Sequence, residues 1–270
     1  QHLLAAVEII KNAQARGAQI DSANVLEIGT GYRVTLPLGL WLCGAEKITT
    51  VDLNPYLRLS LIQKEIEYIQ SNPERVKALF EGLNESEQWC NRFHGILDFQ
   101  IEREEILEFF NIEYVAPADA QNLMLEDSSI DLHLSYTVLE HIPGTVISGI
   151  LREGKRLLRD GGLFIHIVDL SDHFSHSDSS ISSINFLQFS DKEWDQYAGN
   201  QYMYHNRLRV VDYMKLFADE EIDVEIANSV VDSRAVDQLN NGFELSPGYS
   251  SNDAKMLATR EIRLCGQARK

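Results

Sequence analysis

Four residues near the start of the chain have the types and spacing to hold a nucleoside. The run Val25-Leu26-Glu27-Ile28-Gly29-Thr30-Gly31 carries an apolar segment into a turn bounded by two glycines, with an acid two residues before the first. Glycines at such a turn let a ligand approach the main chain closely. A second apolar run, Ile48 to Val51, ends at Asp52. That carboxylate follows Gly31 by about 20 residues, the spacing at which an acid on a neighbouring strand grips a ribose diol. A pyrophosphate fits the same loop poorly. Val34 stands where a dinucleotide loop has its third glycine, and Glu27 would repel phosphate. The two strand ends together describe a nucleoside pocket.

Further candidates fall where other strands should end. Asp119-Ala120 closes the third, Ser135-Tyr136-Thr137 the fourth, and Leu53 can offer an apolar face beside Asp52. The sequence Leu139-Glu140-His141-Ile142 follows the fourth strand, and Leu157-Leu158-Arg159-Asp160-Gly161-Gly162 precedes the fifth. Candidate general bases are His141, His166, His173, His176 and His205, since imidazole titrates near neutrality. His166 alternates with Phe164 and Val168 and reads as a core residue. His173 and His176 fall just past the fifth strand, where a base and an exposed loop histidine are equally expected. His141 suits either a base or a packed residue of a helical turn. No tight His, Asp and Glu spacing of a metal site is present, so no metal is expected.

These five segments, in this order over about 24 to 170, resemble motifs of the class I S-adenosylmethionine-dependent methyltransferases, of the type 11 kind. Two positions depart from the pattern: Arg33 stands at a place often held by a third glycine, and Asp160 replaces a usual proline. The resemblance implies S-adenosylmethionine as cofactor, with Glu27 near its methionine end. It implies Gly29 and Gly31 along the backbone, Asp52 on the ribose, and Leu53 on the adenine face. Asp119 would accept from the adenine amino group, the Ala120 amide would contact the ring, and Ser135 completes the set. His141, His173 and His176 are then the candidate catalytic bases. The expected reaction is methyl transfer to a small molecule, with an oxygen nucleophile on a metabolite or glycan precursor as the acceptor. A noncatalytic module that binds the same cofactor is the alternative, followed by a dinucleotide-dependent oxidoreductase.

The positioning elements are read from periodicity. A helix is expected over 3–17, strands over 24–28 and 47–51, and helices over 35–43 and 56–69. Strands then follow at 112–116, 130–136 and 162–168, with a helix at 145–159 between the last two. A helix at 210–220 and strands at 222–231 and 257–267 close the chain. This is an α/β order, predicting a Rossmann-like, seven-stranded, mostly parallel sheet with helices on both faces. A single domain over 1–270 is expected, with two additions. Residues 71–111 are charged and helically periodic, with Trp89, Phe93, Ile96, Phe99, Ile106, Leu107 and Phe110 on apolar faces. They read as a helical insertion, either a stabilising cap or a substrate lid. Residues 170–209 hold Phe174, Phe186, Phe189, Trp194, Tyr197, Tyr202, Tyr204 and His205 among polar residues, which suits either a lid over a ring or sugar or a loop pinned by its aromatics. Arg207 and Arg209 offer donors to a substrate carboxylate or phosphate, or pair with nearby acids such as Asp212.

Composition narrows the partners. With 270 residues and 44% hydrophobic content the chain can build one large core. A formal charge of -17 opposes binding to a nucleic-acid backbone. The densest basic group, Arg152, Lys155, Arg156 and Arg159, has the spacing of a solvated helix face. No apolar stretch approaches the roughly 20 residues of a membrane span, so no membrane partner is expected. Cys43, Cys90 and Cys265 form no C-x-x-C pair and read as reduced thiols of a cytoplasmic protein, although a leader lost before Gln1 stays open. A homo-oligomer is possible on these grounds.

Overall fold

A computed structural model describes residues 2–100, 105–200, 204–249 and 253–268. Tyr202, and the parts of the two additions at 101–104 and 201–203, lie outside the described residues. Seven strands form one sheet in the order β3-β2-β1-β4-β5-β7-β6. They are β1 Asn24–Ile28, β2 Lys47–Val51, β3 Ile112–Val115, β4 Ile130–Tyr136, β5 Leu158–Asp169, β6 Ile222–Val231 and β7 Thr259–Ala268. The β1–β2, β1–β4 and β2–β3 pairs are parallel, and β6–β7 is antiparallel. The predicted α/β class, strand count and dominant parallel pairing are all present.

The chain divides into two compact units. Among the described residues, the first comprises those of 2–135 and 153–165 and the second those of 136–152 and 166–268.

In the first unit, β1 and β2 are buried from their second residue onward, as continuous apolar runs require. Helix α1 (His2–Gln14) ends before Gly17, whose φ of 80° breaks the chain direction. Every residue of α2 (Thr35–Leu42) is buried, and Pro37 is tolerated because it sits in the first turn. Helix α3 (Leu59–Ser71) begins three residues later than expected, because Asn54-Pro55 leads into an extended Arg58. The insertion forms α4 (Pro73–Leu79), α5 (Glu87–Leu97) and α6 (Ile106–Phe109). Its aromatics pack inward. Trp89 stacks on Phe93 at 4.7 Å, Phe110 meets Trp41 of α2 edge-on at 5.0 Å, and Arg92 covers the Trp41 ring at 4.9 Å.

The second unit contains most of α7 (Gly144–Leu157), then α8 (Asp191–Ala198), α9 (Val210–Asp219), α10 (Ser233–Asn240) and α11 (Ala254–Leu257). Sequence periodicity missed α8, α10 and α11. They are short and hold through their ends: Ser190 and Glu193 form a reciprocal cap, and Asp232 and Asp253 each accept from two backbone amides. The aromatic segment builds a core of its own: Phe186, Leu187, Trp194 and Ala198 pack with Ala235, Leu257 and Ala258.

Close helix packing in the first unit depends on a small residue. A Cβ on Gly39 of α2 would lie 2.5 Å from the Ala6 Cβ of α1. In an open helix Gly→Ala stabilises by about 1 kcal/mol, but here overpacking costs about 1–3 kcal/mol. Gly39→Ala is therefore expected to lower the urea midpoint; a raised midpoint would show that α1 is free to move away.

Candidate functional site

The cofactor candidates converge in the first unit through parallel register. Glu27 is aligned with Thr50 and Ile28 with Val51 on one side; Ile28 is aligned with Ser135 on the other. The strand order reverses on either side of β1, and open α/β sheets bind ligands at the carboxyl ends beside such a point. Gly29 and Gly31 take φ of 83° and 62°, so the turn uses the left-handed backbone that glycine permits. The Gly29 amide donates to the Val51 carbonyl at 2.8 Å, tying the loop to β2. The Gly31 amide donates to Asp52 Oδ2 at 2.9 Å, and the Asn54 amide donates to Oδ1 at 3.1 Å. Each oxygen of Asp52 thus keeps acceptor capacity, which a ribose diol needs. A Cβ at Gly31 would meet nothing within 4 Å, and Arg33 is exposed, so neither closes the loop.

Glu27 is the informative residue. Only 4% of it is exposed, and burial pushes its carboxyl up to about 8 against help from the Thr50 hydroxyl, which donates to Oε2; the charge on Asp52 raises it further. Thr30 extends the chain, with its hydroxyl 2.6 Å from that of Thr50. A buried carboxyl held so far from its ordinary range becomes an anion readily when a cation is placed against it. An amino-acid ammonium meets that need and a phosphate does not.

Leu53 is 69% exposed and presents an uncommitted apolar face. Asp119 stands four residues beyond β3 rather than at its end, in an exposed turn tied to β2 by the Ala118 amide, which donates to the Asp52 carbonyl at 2.9 Å. Its Oδ1 accepts from the Gln121 amide at 2.9 Å, and Ala120 is half-buried beside it. Ser135 is fully buried.

The catalytic candidates gather in the second unit. The His173 ring packs 4.5 Å from His205, 4.9 Å from His141 and 4.9 Å from His176. Burial, then the neighbouring imidazoles, lowers His173 to about 4, so it is neutral at pH 7. His141 Nδ1 lies 3.1 Å from the Tyr204 carbonyl. A carbonyl only accepts, so Nδ1 carries the proton and Nε2 keeps its lone pair. His176 is fixed in the opposite sense. The Ser171 hydroxyl donates to Asp169 Oδ1, so its oxygen accepts from His176 Nε2 at 2.9 Å and Nδ1 is left free. His166 is fully buried, edge-on to Phe217, as its alternation in the strand implies. Sequence reasoning passed over Glu140: it is 2% exposed, and burial holds its carboxyl well above the usual range.

Both arginines of the aromatic segment are buried and engaged with protein groups rather than presented to an anionic substrate. Arg209 is buried and donates to the Leu170, Leu257 and Thr259 carbonyls. Arg207 donates to the Phe186 and Phe189 carbonyls and pairs with Asp191. Asp212 meets the Arg209 backbone amide instead of its guanidinium. The basic group is paired as well: on α7, Arg152 with Glu220 and Arg156 with Asp127 and Glu153, and Arg159, which lies in β5 rather than on the helix, with Asp131.

The strand order defines an α/β fold of the class I methyltransferase kind. Residues 99–166 match the family model of the methyltransferase domain. Similar structures include a methyltransferase from Clostridium acetobutylicum that depends on S-adenosylmethionine. Its TM-score is 0.52 at 11% identity, over 100% of this chain and 93% of that one. The YcgJ protein of Bacillus subtilis has TM-score 0.51 at 12% identity, over 97% and 98%. A further S-adenosylmethionine-dependent methyltransferase, from Methanosarcina mazei, has TM-score 0.50 at 14% identity, over 97% and 98%. At such identities these likenesses show the fold alone. No curated protein sequence matches the chain. The family match over residues 99–166 and the fold both support a kinship with the class I S-adenosylmethionine-dependent methyltransferases. Their cofactor is the positively charged nucleoside that the first unit's residues fit.

The raised carboxyl of Glu27 has a signed consequence. Stability from its neutral form is complete below about 4.5 and is lost as pH rises through about 8. Glu27→Gln keeps the neutral shape, so the cofactor-free variant should exceed the parent in stability at pH 9 by on the order of 5 kcal/mol, and by little at pH 4.5. Denaturant melts at both pH values check this; an equal difference at both would remove Glu27 as the titrating group.

Proposed function

We propose that the protein methylates a hydroxyl oxygen of a small molecule, a metabolite or glycan precursor, with a histidine of the second unit as proton acceptor. The observation that carries this is the pair of oriented imidazoles: His141 and His176 each have one nitrogen committed and the other free to take a proton. Bound S-adenosylmethionine supplies a methyl group on a positively charged sulfur. Transfer makes an O–C bond as the S–C bond breaks, so a hydroxyl acceptor must release its proton, whereas an amine needs only to be neutral. Asp169 and Ser171 orient His176, which gives it the arrangement of a general base and its orienting acid. The Glu27 carboxylate would hold the cofactor's ammonium and Asp52 its ribose, while Leu53 and the turn at Asp119 and Ala120 would hold the adenine.

A cleft of about 780 Å³ within the second unit supports an acceptor of metabolite size. Trp194, Tyr204, His205, Asn206 and Tyr249 are in its wall, giving aromatic faces with polar edges of the kind that suit a sugar ring. The insertion is read as a cap that completes the first unit's core, because its aromatic residues pack onto α2.

Methyl-labelled cofactor incubated with panels of hydroxylated and amine metabolites tests the assignment. Label is expected in hydroxyl compounds, and His176→Gln should lower kcat by about 10²–10⁴-fold with cofactor affinity unchanged. Label confined to amines, or an unaffected kcat in the variant, would overturn the oxygen acceptor and the base in turn.

A further inference from the structure

We propose that Glu140, His141 and His173 form a binding site for a divalent transition-metal ion such as Zn(II). One ligand atom from each of the three lies within 4.8 Å of the others. Bonds of 2.0–2.2 Å to a tetrahedral ion require donors about 3.4 Å apart, so small side-chain movements close the site. Two imidazoles and a carboxylate are the donor set that suits zinc and its neighbours, and nitrogen donors disfavour magnesium and calcium.

Three further observations point to a ligand. Glu140 Oε2 is buried and makes no hydrogen bond among the described residues. His173 Nε2 is in the same condition. Unpaired buried polar atoms are costly, and a bound cation is a partner that relieves that cost. The third is the His141 tautomer. A metal-bound histidine usually donates its other ring N–H to a carbonyl or carboxylate, which fixes the ring and strengthens it as a ligand. The Tyr204 carbonyl does this for His141 Nδ1 and aims the Nε2 lone pair away from itself. The site is preorganised from behind as well. Asn206 donates to the Leu139 and Ile142 carbonyls at 2.8 Å, bracing the short helix that carries Glu140 and His141, and its amide donates to the Glu140 carbonyl.

Three protein donors leave one position open, as catalytic rather than structural zinc sites do. An ion there lowers the pKa of a coordinated hydroxyl. That role rests on the oxygen acceptor proposed above, and metal binding itself does not. His176, whose Ser171 and Asp169 partners lie outside the donor set, remains the proton acceptor.

Protein stripped with EDTA would be titrated with Co(II), followed by visible absorption, and with Zn(II), followed by equilibrium dialysis. One equivalent per chain is expected, with the visible bands of cobalt in a low-coordinate nitrogen and oxygen site. His141→Gln and Glu140→Gln should each weaken binding by about 100-fold or more, and His94→Gln, on the exposed face of α5, should not. His141 is exposed, so its variant remains informative if Glu140→Gln unfolds. No bound equivalent, or binding that survives both substitutions, would overturn the site. Titration of the metal-free protein with S-adenosylmethionine shows separately whether the methyltransferase assignment stands.

Discussion

Parallel pairing on both sides of β1 is the constraint on which the first unit depends. A slip of one residue in either neighbour would turn Glu27 and Thr50 onto opposite faces and separate Ile28 from Ser135. Continuous burial of β1 and β2 makes such a slip costly, because apolar side chains would have to exchange places with polar ones. With register fixed, the acid at the end of β1 has one hydroxyl within reach and a second behind it. The glycine turn then lies across the end of β2, where Asp52 accepts from its amide. The placement of the candidate cofactor residues thus follows from strand pairing, with glycine conformation as the one local requirement.

The second unit solves a different problem, that of holding many titratable groups close together. Four histidine rings meet around His173, and mutual repulsion adds to burial in keeping that ring neutral. Glu140 and Asp169 lie nearby as acids, one with its carboxyl raised by burial and the other tied to Ser171. Arg209 holds the surrounding chain segments by three carbonyl contacts, and burial lowers it to about 10, still charged at neutral pH. Its loss would leave three buried carbonyls without a donor, so its duty is structural.

Legibility in the sequence followed burial and distance along the chain. β1, β2, β4 and β6 have the bounds the sequence predicts, β1 and β2 as buried runs between turn signals and β4 and β6 through apolar residues that alternate with polar ones at their starts. Most of the cofactor candidates were legible because they stand at or just past a strand end; Asp119 and Ala120 lie further on, in a turn beyond β3. Helices α8 and α10 were not, because caps rather than long apolar stripes hold them. Part of the aromatic segment is core, with Phe186 and Trp194 packed on Ala235, Leu257 and Ala258, and the sequence did not show it because those partners are remote along the chain. The grouping of His141, His173 and His205 was invisible for a like reason. Only the fold brings together positions so widely separated.

The central claim is that the first unit binds a cationic nucleoside through Glu27 and Asp52. Calorimetric titration with S-adenosylmethionine and S-adenosylhomocysteine, with NAD as the control, tests it most directly. Micromolar binding of the first two, with no heat from NAD, is the predicted result. Binding of NAD alone, or of none of the three, would contradict it.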